Sequence, residues 1–282
     1  MKIAVTTASG NLGSSIVKHL KKEIGSENVI GIARTPEKAK SLGVEIRKGD
    51  YNSKEDFLSA LKGVDKVVLV SGMDHPDKRI QQHRNVIEAA KENGVKKIVY
   101  TSIIGSAEGN AFSPIVASNR QTEEDIKNSG LQWAIGRNGL YIEPDLEYIE
   151  NYIKEGGIIN SAADGLCGYT SRQELAYAYF KLVSDDKLNG NTYNLFGKPI
   201  TQNELTKAIN KAFNTNLVYK SISVDEYTAL RKAALGEFMG TVIGGIYEGI
   251  RMGKFSGISD FSTVTGRAHK SIDEMIINFL NK

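Results

Sequence analysis

At 282 residues, 40% hydrophobic and 24% charged, the chain has an ordinary globular composition, with room for one large α/β domain and a smaller appendage. Its net charge of +3 is spread along the chain, with Lys18 to Lys22 the longest basic cluster, which excludes the basic stripe of a nucleic-acid binder. One cysteine (Cys167) and four scattered histidines (His19, His75, His83, His269) exclude a disulfide framework and a metal site, and no apolar run reaches the ~18 residues of a membrane span, so a soluble cytoplasmic protein is expected.

Short apolar runs alternate with helical periods over the first half. Ile3 to Thr6 reads as a strand, Leu12 to Lys22 as a helix, and Val29 to Ala33 and Val44 to Lys48 as strands. Lys54 to Leu61 is helical, Lys66 to Ser71 a buried strand, Lys78 to Glu92 a helix and Lys97 to Thr101 a strand. A helix from Asn119 to Asn128 then leads to a strand at Gln132 to Ile135. This alternation predicts an α/β Rossmann fold, a doubly wound parallel sheet with helices on both faces, over residues 1–140. The strand C-terminal ends then share one rim, where such folds bind ligands.

Past Tyr141 the alternation loosens. Helices are expected at Leu146 to Lys154, Ser171 to Ser184, Gln202 to Phe213, Val224 to Ala234 and Gly236 to Met252, and strands at Thr192 to Phe196 and Leu217 to Ser221. No linker precedes this half. Residues 141–282 are expected to form a smaller α/β substrate subdomain, not fully contiguous, packed over the strand rim.

The strongest chemical signal is the turn Thr6-Thr7-Ala8-Ser9-Gly10-Asn11-Leu12-Gly13 between the first strand and first helix. Gly10 lets the backbone approach a pyrophosphate, and Gly13 lets the helix pack tightly on the sheet. The helix N-terminus then offers unpaired N–H groups to phosphate. The strand–turn–helix setting makes this a dinucleotide site rather than a chance pair of glycines. An NAD site places a carboxylate about 20 residues after the glycines for the ribose 2′-hydroxyl. Here Ala33 holds that place and Arg34 follows, and a guanidinium suits a 2′-phosphate. NADP(H) is therefore expected over NAD(H). Asp50 and Tyr51 either border the adenine or belong to a turn. Ser71 and Gly72 end the fourth strand on the same rim and give a cofactor room to pass.

The segments TTASGNLG, ARTPEKA, KGDYNS, QHRNVIEAAKENGVKKIVYTS, GRNGLY and TVTGRAHKSIDEMI together resemble the atypical short-chain dehydrogenase/reductase group with NmrA-like domains, nearest to the bacterial type-two NAD(P)H:quinone oxidoreductases. The resemblance runs over essentially the whole chain. It implies a Rossmann domain plus a small substrate domain with the active site between them. It also implies NADPH as cofactor and a quinone or similar electron acceptor as small-molecule substrate; a homodimer is left open. Three departures stand out. Thr7 replaces the loop's usual first glycine. Asn119 stands near where relatives often carry His or Lys, ahead of Thr122-Glu123. The Tyr-x-x-x-Lys pair of the larger superfamily is matched only by Tyr177 and Lys181, after the sixth strand, where packing is the expected role.

Without that pair, alcohol oxidation and nucleotide-sugar epimerisation lack their acid or base, whereas hydride delivery to a reducible acceptor needs mainly orientation. Thr101 and Ser102, and Arg137-Asn138-Gly139 after the sixth strand, are expected on the rim. Asn138 is the candidate catalytic residue, bonding the nicotinamide carboxamide or polarising a quinone oxygen, unless it is a turn residue. Tyr141 and Phe112 either wall a planar acceptor or are ordinary packing. A non-catalytic dinucleotide-binding redox sensor of the NmrA type is the competing expectation.

Overall fold

The computed structural model describes residues 1–281. The elements in chain order are β1 (Ile3–Val5), α1 (Asn11–Ile24), β2 (Val29–Ala33), β3 (Glu45–Lys48), α2 (Lys54–Ala60), β4 (Lys66–Val70), α3 (Pro76–Glu92), β5 (Lys97–Ile103), α4 (Ser113–Lys127) and β6 (Gln132–Asn138). They continue with β7 (Leu140–Tyr141), α5 (Glu143–Glu147), α6 (Ile149–Glu155), β8 (Gly157–Asn160), β9 (Tyr169–Thr170), α7 (Arg172–Ser184) and β10 (Thr192–Leu195). The last six are α8 (Gln202–Phe213), β11 (Val218–Ser221), α9 (Val224–Leu235), α10 (Glu237–Arg251), α11 (Phe261–Thr265) and α12 (Ile272–Leu280).

Seven strands form one parallel sheet in the order β10-β6-β5-β4-β1-β2-β3. The central strands IAV, VIGIA and KVVLV are buried at every position, as expected where helices cover both faces. One face carries α1 and α7, whose Leu12, Ile16, Leu20, Leu175, Tyr179 and Leu182 pack on the sheet. The other carries α2, α3 and α4 through Phe57, Val86, Ile87 and Ile126. The Rossmann reading holds, and the strand order reverses between β4 and β1, the switch point where such sheets bind ligands.

The second half does not simply follow the first. β10 returns to the main sheet beside β6, and α7 packs on α1. What lies outside the sheet has its own core of Phe112, Leu146, Tyr169, Leu205, Ile209, Tyr227, Tyr247 and Met275. It also has two small sheets, β8 with β11 and β7 with β9. The helix expected from Leu146 to Lys154 is split at Tyr148 into α5 and α6. Expected Asn119 to Asn128 is the later part of α4, which begins earlier, with a proline in its first turn.

Two lysines that begin neighbouring strands tie the sheet to the end of α7. Lys66 and Lys97, paired across β4 and β5, are buried. Lys66 Nζ donates to Val183 O (3.1 Å) and Asp186 Oδ1 (2.9 Å), and Lys97 Nζ to Asp185 O (3.0 Å) and Asp186 Oδ1 (3.3 Å). Both cations thus cap the C-terminal end of α7, where the helix dipole favours them. Asp186→Asn leaves two ammonium groups sharing no carboxylate and is expected to lower stability by about 1.5–3 kcal/mol. Urea unfolding at pH 7 checks this, and an unchanged midpoint would exclude the role.

Candidate functional site

The turn after β1 is held from both sides of the switch point. Thr6 N donates to Val68 O (3.1 Å) on β4, and Ala8 N donates to Ile32 O (2.9 Å) on β2. Thr7 adopts φ +49°, the left-handed region glycine prefers, and its carbonyl accepts from Gly10 N (2.8 Å). The residue replacing the expected glycine therefore keeps a glycine-like backbone. Gly13 is the glycine the turn requires: a Cβ there would lie 2.3 Å from Thr7 O, against 3.2 Å for one at Gly10. Gly10 caps α1 without a side-chain bond, and the first turn holds no acidic residue. Elsewhere Ser53, Ser171, Thr201, Ser223 and Ser271 cap their helices with side chains. The α1 terminus instead leaves its N–H groups for an anion, flanked by exposed Ser9 and Asn11, with Leu12 and Gly13 buried beneath.

Arg34 follows β2, is exposed, and makes no ion pair among the described residues. Asp50 closes a turn, its Oδ1 accepting from Asn52 N (2.9 Å) and Asn52 Nδ2 (3.0 Å). Tyr51 points inward. Its ring stacks on Phe57 (5.5 Å between centroids), and its hydroxyl bonds Thr6 Oγ1 (2.6 Å) and donates to Val70 O. Thr6 Oγ1 also accepts from Val70 N (2.9 Å), so these two hydroxyls stitch β1 to β4, and burial holds the Tyr51 pKa well above the ordinary phenol range.

Beyond β4 the rim is a buried polar network. Ser71 N donates to Thr101 Oγ1 (2.9 Å), and Gly72 N donates to His83 Nε2 (3.0 Å). His83 Nδ1 faces Thr122 Oγ1 (2.9 Å), whose hydroxyl donates to Ser118 O (3.0 Å). That chain requires a neutral imidazole protonated on Nδ1, and burial, helped by nearby Arg79, lowers its pKa to about 3. Asn119 Oδ1 receives Tyr100 Oη (2.6 Å), Ser71 Oγ (3.0 Å) and Arg79 Nη2 (3.2 Å). Arg79 and His83, four residues apart on one face of α3, were not among the expected site residues. The spacing of polar residues at 79, 82 and 83 along a helix against the sheet was the only sign of them.

Farther along the rim Glu123, 1% exposed, accepts from Ser102 Oγ (2.6 Å), Arg120 Nη1 (2.7 Å) and Arg137 Nη2 (2.6 Å). The Ser102 hydroxyl is thus engaged with a carboxylate. Although its burial acts in the opposite sense, the arginines and Ser102 leave the Glu123 pKa lowered. Arg137 and Asn138 lie within β6 and not after it, because β6 pairs with β5 and β10 through residue 138. Asn138 is 3% exposed; its Oδ1 accepts from Tyr179 Oη and its Nδ2 donates to Tyr141 Oη (3.1 Å). One amide N–H remains. Burial raises the Tyr141 pKa to about 12. Phe112 sits in the C-terminal core against Phe255 (5.9 Å) and makes no open wall. Tyr177 donates to Thr265 O (3.4 Å) and lies under Lys181 (5.4 Å) on α7, in the packing role expected. Among the described residues no cluster of His, Cys, Asp or Glu suits a metal, and no helix is long and apolar enough to cross a membrane.

Because the native His83 pKa lies below the 6.5 of a free imidazole, the unfolded chain binds the extra proton. The stability His83 contributes is complete above pH 6.5 and falls as pH drops toward 3, by up to about 1.4 kcal/mol per pH unit. His83→Gln is expected to flatten the loss of stability between pH 6.5 and 4 relative to the parent. Urea midpoints across that range check it; parallel slopes would show that His83 is not held neutral.

The sequence model of a family described as NAD(P)H-binding matches residues 7–186. Quinone oxidoreductase 2 of Escherichia coli (strain K12) is 32% identical over 237 residues, 82% of this chain and 81% of that protein. Among solved structures, the triphenylmethane reductase of Citrobacter sp. superposes with a TM-score of 0.91 at 31% identity, covering 100% of both chains. The NADPH complex of the Escherichia coli quinone oxidoreductase QOR2 gives 0.88 at 29% identity, covering 99% of this chain and 100% of that one. On the family match and this identity, the chain belongs to the NAD(P)H-binding family, in the NmrA-like group that its sequence motifs resemble.

Proposed function

We propose that this protein is an NADPH-dependent reductase that passes hydride to a quinone or a related planar electron acceptor. The observation that carries the reading is the pairing of an α1 N-terminus without a side-chain cap with the unpaired Arg34 guanidinium just past β2. The first suits a diphosphate and the second a 2′-phosphate. Ser9 to Gly13 would hold the diphosphate, Arg34 the 2′-phosphate, and Asp50, with one carboxylate oxygen outside its turn, the adenine side. Tyr51 and Thr6 act beneath the cofactor by bracing the turn, and Gly72 and Thr101 shape the rim above β4 and β5.

A bound reduced nicotinamide supplies the hydride; this chain orients and screens it. Asn138 keeps one amide N–H free after Tyr179 and Tyr141 fix its plane, and that N–H serves the nicotinamide carboxamide or an acceptor oxygen. The core outside the sheet (α5, α6, α8, α9, α10 and α12) forms the acceptor side, and water provides the proton. Similarity to quinone oxidoreductase 2 and to triphenylmethane reductase supports acceptors of this planar, conjugated class.

Loss of NADPH absorbance with a panel of benzoquinones and naphthoquinones tests the reading. Turnover supports it, whereas tight NADP binding with no turnover of any acceptor indicates a sensor. Arg34→Glu is expected to weaken NADPH by roughly ten- to a hundredfold, or about 1.5–3 kcal/mol, while sparing NADH. An equal loss for both cofactors, or no change, would remove the 2′-phosphate role.

A further inference from the structure

Arg79 is 4% exposed, yet no carboxylate pairs with it among the described residues. The other largely buried cations of the fold each have one: Lys66 and Lys97 share Asp186, and Arg120 has Glu123. A guanidinium carries five N–H donors. In Arg79 only Nη2 is used, toward Ser71 Oγ and Asn119 Oδ1, while Nε is buried with no partner. Arg79 also lies in the first turns of α3, where the helix dipole adds positive potential rather than cancelling it. A buried charge so placed is costly unless an anion completes it.

Asn119 Oδ1 has two lone pairs but three donors within reach: Tyr100 Oη at 2.6 Å, Ser71 Oγ at 3.0 Å and Arg79 Nη2 at 3.2 Å. Tyr100 is fully buried and Arg79 nearly so, whereas Ser71 is half-buried at the open end of β4. The Ser71 hydroxyl is the least committed of the three, its one other acceptor being Tyr100 Oη at 3.3 Å, and it can rotate outward while its oxygen keeps accepting from Arg79. A hydroxyl backed by a cation donates more strongly than an ordinary serine.

We propose that Ser71 and Arg79 form a charged-oxygen site, in which Ser71 Oγ–H, polarised by the Arg79 guanidinium, donates to a negatively charged oxygen of a bound molecule. The proposal rests on the dinucleotide-dependent reduction above and names two sources of that oxygen. One is the cofactor diphosphate. The other is the acceptor: when hydride brings two electrons and one proton to a quinone, it leaves a hydroquinone monoanion, which takes its second proton from water. Asn119 is a positioning residue, holding Arg79 and leaving Ser71 free.

Ser71→Ala and Arg79→Met in the full chain separate these sources. NADP+ and 2′-AMP (which carries no 5′-phosphate) are titrated, and kcat and KM are measured with NADPH and 1,4-benzoquinone. A diphosphate partner predicts at least tenfold weaker NADP+ binding in both variants with 2′-AMP unchanged. An acceptor partner predicts unchanged NADP+ binding and a tenfold or larger fall in kcat with little change in KM. Low millimolar guanidinium is expected to restore part of the Arg79→Met loss in either case, which a purely structural role would not show. If Arg79→Met does not fold, Ser71→Ala decides by the same readings. Ser71→Ala within twofold of the parent in binding and kcat overturns the proposal. Absence of quinone turnover by the parent protein would count against the reductase reading alone, since the NADP+ titration still tests the site.

Discussion

The contact on which the site depends is the approach of the Thr7 carbonyl to Gly13. A Cβ at position 13 would lie 2.3 Å from that oxygen, so only glycine lets the turn fold back on the helix it introduces. From this contact follow the left-handed backbone at Thr7, the close seating of α1 on β1 and β2, and a helix terminus that no side chain caps. Five other helices have Ser or Thr caps, two of them in full capping boxes. With Gly10 at the cap, leaving α1 open forgoes only about a few tenths of a kcal/mol and reserves aligned N–H groups for an anionic ligand.

Around the turn the rim is built in three polar patches with different degrees of freedom. Thr6, Tyr51 and Val70 form a closed stitch between β1 and β4 that spends its hydroxyls on the protein itself. Glu123 gathers Ser102, Arg120 and Arg137 into a second closed set in which both guanidinium groups share one carboxylate. The third patch, Ser71 with Arg79, Tyr100 and Asn119, carries a net positive charge and one donor more than Asn119 Oδ1 can accept. Two closed patches on either side of one whose guanidinium has no carboxylate make a preorganised setting for developing negative charge.

The parts of this arrangement legible in the sequence are those written in local chemistry. The turn declares itself because strand, glycines and helix are contiguous, and Arg34 because it follows a strand whose end lacks a carboxylate. The return of β10 to the main sheet was not legible. Its four residues follow a half in which alternation has faded, and what recruits them is the open edge of β6 together with the apolar face of α7. Asn138 was expected in a loop for the same reason, since β6 is extended by pairing on both sides. Arg79 and His83 read as ordinary polar positions of an amphipathic helix, because their partners Ser71, Gly72, Asn119 and Thr122 come from two other segments, the end of β4 and helix α4. Tyr51 could be placed near the cofactor by its position, but whether its hydroxyl faced outward or beneath the turn depended on Phe57 and Val70.

The central claim is that an open helix terminus and a free guanidinium together select a 2′-phosphorylated dinucleotide for reduction of a planar acceptor. Its most direct measurement is the ratio of kcat/KM for NADPH to that for NADH, with 1,4-benzoquinone as acceptor and the unaltered protein. The account predicts a ratio of about ten or more, the discrimination expected of one charge-assisted phosphate contact. A ratio near one, or a preference for NADH, would contradict it.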